Sequence, residues 1–240
     1  MADADYNLAP GALRDKPDMT PDTRERSFVL TENLVAATRP GSIQAESFRA
    51  LRSNLLSQHI NRGRRALAIC SPIAAAGCSF VAANLAYVMA QSGVNTLLID
   101  GNLREPGVHH FIASEGQGGP GAGLGECLAD DTLPLASVIK RVQPSLSVLY
   151  AGNAGIAAAD RLGSSVFRSL IAQCLRDFDL TIVDTPPSSL SADARRIGAV
   201  THYALVVAKR DLTLVKDVAT LLDELAADGA EAIGTYLNDY

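Results

Sequence analysis

Residues 66–93 read ALAICSPIAAAGCSFVAANLAYVMAQSG and contain three patterns in succession. The run 66–70 is continuously apolar and predicts a buried strand. The run 79–92 is apolar nearly all round, which predicts a buried helix, and Gly93 is a suitable stop for it. We expect only a few polar positions, among them Asn84, to lie on the surface of this helix.

The ten residues between these two elements, SPIAAAGCSF, occupy the place of a phosphate-binding loop. The pattern of such a loop is G-x-x-x-x-G-K-[ST]. Gly77 and Ser79 fit the pattern, whereas Pro72 stands at the first glycine and Cys78 stands where the lysine is expected. The stretch therefore predicts the strand, loop and helix of a nucleotide-binding fold with altered chemistry in the loop.

Further short apolar runs follow, separated by helical segments. They predict strands at 96–100, 146–150, 180–184, 204–208 and 232–237. Buried strands that alternate with helices indicate a doubly wound α/β domain, with a mostly parallel sheet flanked by helices as in the P-loop NTPases. Asp100 and Asp184 each end a predicted strand, and ligands of such sheets bind at the carboxyl ends of the strands.

The chain divides into an arm and one domain. Residues 1–40 are rich in Asp, Pro, Thr and Arg with little periodicity, so we expect a disordered N-terminal arm and a single domain over 41–240. At its start, residues 42–60 predict an amphipathic helix with Ser42 as N-cap. Three charged side chains spaced by three form a polar ridge on this helix: Glu46, Arg49 and Arg52.

Composition excludes several classes of protein. The net charge of −5 argues against nucleic acid as a partner, because binding to phosphate backbones needs clustered Lys and Arg. The sequence contains no apolar run of the ~20 residues that a membrane span requires, and its N-terminus has no secretory pattern. The four cysteines include no C-x-x-C pair, which argues against a zinc site or a disulfide framework and favours the cytoplasm.

Three segments taken together resemble one family. They are LLIDGNLREP (97–106), FDLTIVDTPPSSLSADA (178–194) and the altered loop, and with the terminal GTYLND they stand in the order typical of bacterial tyrosine kinases of polysaccharide biosynthesis. The segment ESFRALR also resembles the E-x-x-R-x-x-R oligomerisation helix of that family. The resemblance spans roughly 42–238 and implies a cytoplasmic domain that works with a membrane-bound polysaccharide co-polymerase.

The departures from the family's pattern lie at its nucleotide site. A neutral thiol, Cys78, replaces the lysine that contacts the β and γ phosphates, and Phe80 replaces a threonine. Ala75 replaces a loop glycine, which is unfavourable if that position needs a positive φ. The family's second acidic motif has Asn102 in place of an aspartate.

Other parts of the site are kept. The family's strand-end carboxylates remain as Asp100 and Asp184, and Ser79 with Asp184 would hold Mg²⁺ if it is bound. The usual cluster of C-terminal tyrosines is missing, since only Tyr236 and Tyr240 occur in the last segment. We therefore expect no catalytic residue and no cofactor, the alternative being ATP with Mg²⁺.

These observations favour a degenerate, stand-alone relative of the kinases. We expect a cytoplasmic scaffold or regulator, recruited to the inner face of the cell membrane, that takes part in polymerisation and export of an exopolysaccharide such as a capsule or holdfast-type adhesin. The expected partners are a separate membrane-bound co-polymerase and further copies of the chain, which the ridge would contact.

Two other functions stay open. The first is an active protein-tyrosine kinase or ATPase with an altered loop, for which Arg104 is the nearest substitute cation. The second is a positioning ATPase of the septum- or plasmid-partitioning type. At the level of single residues, Cys78 at a helix start has a redox sensor as its alternative role. His109 and His110 are adjacent and so do not share a helix face, which argues against a metal site.

Overall fold

The computed structural model describes residues 28–114, 121–153 and 155–239. Two sheets contain the strands, which are β1 (Phe28–Leu30), β2 (Ala66–Cys70), β3 (Thr96–Asp100), β4 (Ile112–Ser114), β5 (Lys140–Gln143), β6 (Leu146–Leu149), β7 (Leu180–Asp184), β8 (Tyr203–Lys209) and β9 (Glu231–Asn238). The larger sheet has seven strands in the order β5-β6-β3-β7-β2-β8-β9, and only β5 runs antiparallel to its neighbour. The smaller sheet is the antiparallel pair of β1 and β4.

Helices cover both faces of the larger sheet. They are α1 (Val35–Thr38), α2 (Ile43–Gln58), α3 (Cys78–Gln91), α4 (Leu124–Ala129), α5 (Leu135–Val138), α6 (Ile156–Ala159), α7 (Ser165–Asp177), α8 (Asp193–Thr201) and α9 (Val215–Ala227). Alternate residues of β2 supply two separate cores: Leu67 and Ile69 pack with helices α1 to α3, whereas Ala68 and Cys70 pack with the remaining helices. The predicted doubly wound α/β architecture is confirmed.

Most predicted elements are confirmed to within a residue or two of their ends. All six predicted strands occur, and Ser42 caps α2 by accepting a hydrogen bond from the N–H of Ala45 at 3.1 Å. After α3, Gly93 has φ +86°, as a helix stop requires. The prediction that Asn84 lies at the surface of α3 is wrong. The side chain is fully buried because its Oδ1 accepts from the N–H of Ala36 at 2.8 Å and its Nδ2 donates to a carbonyl one turn earlier.

The predicted disorder of the arm needs a correction over residues 28–40. Strand β1 pairs with β4, and α1 buries Leu34 and Val35 against α3. The hydrogen bond from Ala36 to Asn84 fixes this segment to the central domain. The short apolar groups here show no periodicity in the sequence, because their partners are 48 to 86 residues away. Residues 1–27 of the predicted arm lie outside the described residues.

The topology brings the functional candidates to one edge. Strand β2 lies between β7 and β8, and β3 lies beyond β7, so the carboxyl ends of four parallel strands meet around the loop that follows β2. None of the described helices combines the length and apolarity that crossing a bilayer requires.

Candidate functional site

The loop between β2 and α3 keeps the backbone of a phosphate-binding turn. Gly77 has φ +93° and ψ +33° and forms the N-cap of α3. A Cβ at this position would collide with Nδ2 of Asn238, which donates a 2.8 Å hydrogen bond to the carbonyl of Ala76. Ala75 also has a positive φ, +57°. The position of the replaced glycine therefore does need a positive φ, and alanine is strained there.

The residue at the position of the expected lysine is an uncharged thiol. Cys78 is the first residue of α3 and is half-buried. Burial raises the pKa of its thiol well above the usual range, and the nearby carboxylate of Asp184 raises the pKa further. A raised pKa keeps the thiol protonated at neutral pH, so the geometry argues against a reactive redox sensor.

Below the loop, Ser79 and Asp184 contact each other directly. The hydroxyl of Ser79 donates to Oδ2 of Asp184 at 2.5 Å. The other carboxyl oxygen, Oδ1, is buried and has no hydrogen-bond partner. Burial, followed by the negative charge of Asp100, raises the pKa of Asp184 well above its usual range. The side chain is thus a buried carboxyl with a raised pKa and one oxygen that no hydrogen bond occupies.

Asp100 stands opposite Asp184 in the β3–β7 ladder. Its Oδ2 accepts hydrogen bonds from the N–H groups of Gly107 and Val108, both at 3.0 Å, and its Oδ1 accepts from the N–H of Asn102 at 3.2 Å. These donors favour the ionised form, but burial outweighs them and raises the pKa to about 6. The contacts show a structural role, since this carboxyl holds the whole loop after β3 in place.

Asn102, the departure in the second acidic motif, takes part in the same loop. Its side-chain oxygen accepts from the N–H of Glu105 at 3.1 Å, which is a local turn contact. Arg104, named above as the nearest substitute cation, instead donates to the buried carboxylate of Asp193 at 2.7 Å. A buried acid therefore already holds the guanidinium of the cation that the active-kinase alternative would need.

Phe80 belongs to an aromatic cluster beside the loop. Its ring centroid lies 5.5 Å from that of Phe48 on α2 and 6.2 Å from that of Phe111. Phe48 also stacks on Tyr236 of β9 at 5.5 Å, and the hydroxyl of Tyr236 is 2.8 Å from that of Ser47. The predicted position of Tyr236 in a strand is confirmed, and its hydroxyl is half-buried in a helix–sheet contact. Tyr240 lies outside the described residues.

A cleft of about 260 Å³ opens next to the loop. Its lining combines Ala75, Gly77 and Phe80 with residues from four distant segments, among them Arg39, Phe111, Lys209 and Asn238. Sequence reasoning missed Arg39 and Lys209. The available signal was the place of Lys209 at the carboxyl end of a predicted strand. Arg39 gave none, because its segment was predicted to be disordered.

The site can be compared with what Mg²⁺ and a nucleoside triphosphate need. The Ser79 hydroxyl and the orphaned oxygen of Asp184 are the hard oxygen ligands that suit Mg²⁺. The loop itself supplies no cation to the phosphates, and the Phe80 ring occupies part of the space beside it. The residues present fit the metal and do not fit the triphosphate.

The ridge on α2 makes contacts within the chain. Arg49 forms a 2.7 Å ion pair with Glu46 and donates to the carbonyl of Pro40. Arg52 donates to the carbonyl of Val88 on α3 at 3.4 Å. Glu46 and Arg49 nevertheless remain partly accessible, with side chains 72% and 34% exposed, so a second molecule can still reach this ion pair.

The remaining polar candidates do not assemble into a site. The rings of His109 and His110 lie 4.0 Å apart, but no group of three or more metal-ligating side chains occurs in the described part of the chain. The four cysteines are free.

Three comparisons with known proteins complete the description of the site. The tyrosine-protein kinase YwqD of Bacillus subtilis is 31% identical over 219 residues, which cover 90% of this chain and 89% of that protein. The solved kinase domain of the Escherichia coli tyrosine kinase ETK superposes with a TM-score of 0.78 at 29% identity, covering 85% of this chain and 79% of that one. The crystal structure of the chimerical protein CapA2B2 gives 0.77 at 27% identity, covering 89% and 92%. No protein-family model matches the chain.

Proposed function

The chain belongs to the family of bacterial tyrosine-protein kinases, and on that premise we propose that it is a catalytically degenerate member. In this proposal it acts in the cytoplasm as a scaffold or regulator of exopolysaccharide polymerisation and export. The polysaccharide is a capsule or a holdfast-type adhesin, and the chain neither transfers phosphate nor depends on a nucleotide.

One observation carries the loss of activity: a neutral Cys78 at the position of the phosphate-binding lysine. Phosphoryl transfer relies on positioning and on positive charge around the phosphates, so a protonated thiol cannot replace an ammonium group there. The positive φ of Ala75 adds strain to the loop. Arg104, which could have supplied the charge, is bound to Asp193.

The preserved acids are compatible with this proposal. Asp100 accepts three backbone N–H groups of the β3 loop, so the fold requires it whether or not a metal binds. Asp184 is fully buried and accepts a hydrogen bond from Ser79, so it also has a contact within the chain whether or not a metal binds.

The proposed partners are a separate membrane-bound polysaccharide co-polymerase and further copies of the chain. The structural similarity to CapA2B2, a chimerical protein, supports a role in which this domain works next to another polypeptide. The partly accessible ion pair of Glu46 and Arg49 supports the α2 ridge as the contact between copies.

A thermal-shift experiment tests the loss of nucleotide binding. A site with a Kd of ~10 μM in ~1 mM Mg-ATP would gain ~2.7 kcal/mol of stability. For a domain of this size the gain corresponds to a rise in Tm of roughly 5–10 °C. We expect no rise beyond that of MgCl₂ alone. A rise of several degrees that Asp184→Asn abolishes would refute the proposal.

The active-kinase alternative retains one supporting observation, the contact between Ser79 and Asp184 with its orphaned oxygen. It predicts that Cys78→Lys, which supplies the missing cation, restores the Mg-ATP shift. We expect little restoration, because Ala75 and Phe80 are unchanged in that variant. No contact in the described residues specifically favours a positioning ATPase.

The scaffold role is tested by complementation in the source organism. Deletion of the gene should reduce polysaccharide output, and a chain carrying Asp184→Asn should restore it as well as the wild type does. Wild-type rescue together with failure of a folded Asp184→Asn chain would indicate catalysis and contradict the scaffold.

Self-association is tested on the ridge. The double change Arg49→Glu/Arg52→Glu should lower the mass measured by light scattering toward that of a monomer, whereas Arg168→Glu on the exposed face of α7 should not. A wild type that stays monomeric at high concentration and with the co-polymerase present would contradict the interface.

A further inference from the structure

The cleft beside the phosphate loop has a chemistry that the degenerate kinase role does not use. Two cationic side chains line it, Arg39 after α1 and Lys209 at the end of β8. Neither forms an ion pair with any acid in the described ranges, whereas Arg104 and Arg210, which follow β3 and β8 at the same edge, do. Two unpaired cations that face one cleft favour an anionic ligand.

Both cations stand on fixed backbone. The N–H of Lys209 donates to the hydroxyl of Thr213 at 2.8 Å, and Lys209 is paired with Asn238 between strands β8 and β9. The N–H of Arg39 donates to the carbonyl of Val35, and its own carbonyl accepts from Ser42 at the start of α2. The backbone at both positions is therefore fixed, so that binding an anion has to order only the two side chains.

The same cleft has an aromatic wall. Phe80 and Phe111 both line it, with ring centroids 6.2 Å apart and ring planes inclined at 57°. Such a pair presents an apolar surface and ring edges on which a flat ring can pack. The volume of about 260 Å³ lies below the ~300–1,000 Å³ typical of sites for drug-sized ligands, so the cleft suits a ligand with a single ring.

We propose that this cleft binds a phosphate monoester on a single aromatic ring, which is the chemistry of a phosphotyrosine side chain in a protein segment. Arg39 and Lys209 hold the phosphate, and the ring packs on Phe80 and Phe111. No metal and no covalent step is involved. The proposal goes beyond the scaffold role, since a cleft that recognises phosphotyrosine needs neither a nucleotide nor a polysaccharide partner.

The preference for one ring over a nucleotide follows from the size and charge of the cleft. A nucleoside triphosphate brings four negative charges and two ring systems, and the loop supplies no side-chain cation to the additional phosphates. A monoester dianion matches the two cations one for one. Phosphoserine carries the same anion without a ring, so it loses the contact with the aromatic wall.

Binding is measured by fluorescence anisotropy with a fluorescein-labelled Gly-phosphotyrosine-Gly peptide and the full chain, in EDTA. We expect saturable binding, competition by free phosphotyrosine, and at least tenfold weaker competition by tyrosine, phosphoserine and AMP. Loss of one charge-assisted contact is worth ~1.5–3 kcal/mol, so Arg39→Gln and Lys209→Gln should each weaken binding about tenfold or more.

The controls match these variants in residue type. Lys216→Gln and Arg168→Gln remove exposed cations outside the cleft and should leave the affinity unchanged. Phe111→Ser should weaken binding of the phosphotyrosine peptide but not binding of inorganic phosphate. Circular dichroism checks that this variant is folded.

Three results would overturn the proposal. The first is absence of binding at ~1 mM chain, where even a −4 kcal/mol interaction is detectable. The second is competition by AMP or phosphoserine that equals competition by phosphotyrosine. The third is a loss of affinity in the control variants that equals the loss in Arg39→Gln and Lys209→Gln. Each of them leaves the Mg-ATP and complementation results unaffected, so failure here is distinct from failure of the scaffold role.

Discussion

Two layers of the same site differ in how well they keep the pattern of a phosphate-binding protein. The buried layer beneath the loop retains the buried acids Asp100 and Asp184 and the half-buried Ser79, joined by one hydrogen bond and one strand pairing. The outer layer, which would contact a nucleotide, has Cys78 and Phe80 at the positions where the family's sequence pattern predicts a lysine and a threonine. The layers are adjacent in space, and Ser79 of the buried layer lies between the two altered positions in sequence.

The difference teaches what each residue does for the fold. Asp100 satisfies one buried and two partly buried backbone donors, so its loss would leave these N–H groups without their acceptor. The side chains of Cys78 and Phe80 do not serve as acceptors for backbone N–H groups in the way that Asp100 does. The buried apolar residues of α3 hold the helix against the sheet independently of these two side chains. Residues that serve the fold and residues that serve a ligand can be separated by experiments on the two layers.

The largest effect is expected in the buried layer. Asp100→Ala removes the acceptor of three backbone N–H groups, each of which costs ~1–3 kcal/mol when left unsatisfied in the interior, partly offset by removal of a buried charge. We expect a loss of about 3 kcal/mol in the free energy of unfolding, measured in urea. Asn102→Ala, which removes one partly exposed turn contact, should cost less than half as much. Equal losses would show that the Asp100 contacts are not special.

The second effect concerns pH in metal-free buffer. The pKa of Asp100 is raised to about 6 and the pKa of Asp184 is also raised well above its usual range, so between pH 4 and 6 the folded state keeps protons that the unfolded state releases. The free energy of unfolding therefore loses roughly 2 kcal/mol over this range from Asp100 alone, and Asp184 adds a loss of the same sign. The loss is absent below the unfolded pKa near 4. Wild type and Asp184→Asn should diverge in urea midpoint as pH rises, and parallel curves would contradict the pair.

A smaller and opposite effect is expected in the outer layer. Ala75 has φ +57°, and this backbone conformation costs ~1–2 kcal/mol for a residue with a Cβ. Glycine avoids this strain, but it also increases the conformational entropy of the unfolded chain, which cancels part of the gain in stability. Ala75→Gly should therefore raise the free energy of unfolding by about 0.5 kcal/mol. Ala74→Gly, at the preceding exposed position without a positive φ, should lower it by a similar amount. The same sign for both variants would argue against strain at Ala75.

The smallest effect is the labelling of Cys78. A thiol with a raised pKa should react slowly, so brief iodoacetamide treatment at neutral pH should leave this residue almost unmodified when the four cysteines are compared by mass spectrometry. Fast, dominant modification of Cys78 would revive the redox-sensor hypothesis and would separate the two layers further.

The sequence predicts those parts of this structure that depend on local pattern. Continuous apolar runs located the central strands, and the order of motifs located the loop and both strand-end acids. The cationic cleft could not be predicted, because Arg39 and Lys209 are 170 residues apart in sequence and meet only through the sheet order. The same limit explains why the burial of Asn84 and the ion pair of Arg104 with Asp193 could not be predicted from the sequence. A polar residue in an apolar helix and a cation near a loop look available until a tertiary partner appears.

One contact described above also governs the order in which the molecule is completed. The carbonyl of Ala76 receives its hydrogen bond from Asn238, which lies 162 residues later. During synthesis the loop leaves the ribosome long before Asn238 is translated, and contacts of such long sequence separation form late in folding. A nascent chain therefore lacks the hydrogen bond between Asn238 and the loop, and the cleft reaches its final shape only when the last strand, β9, joins the sheet.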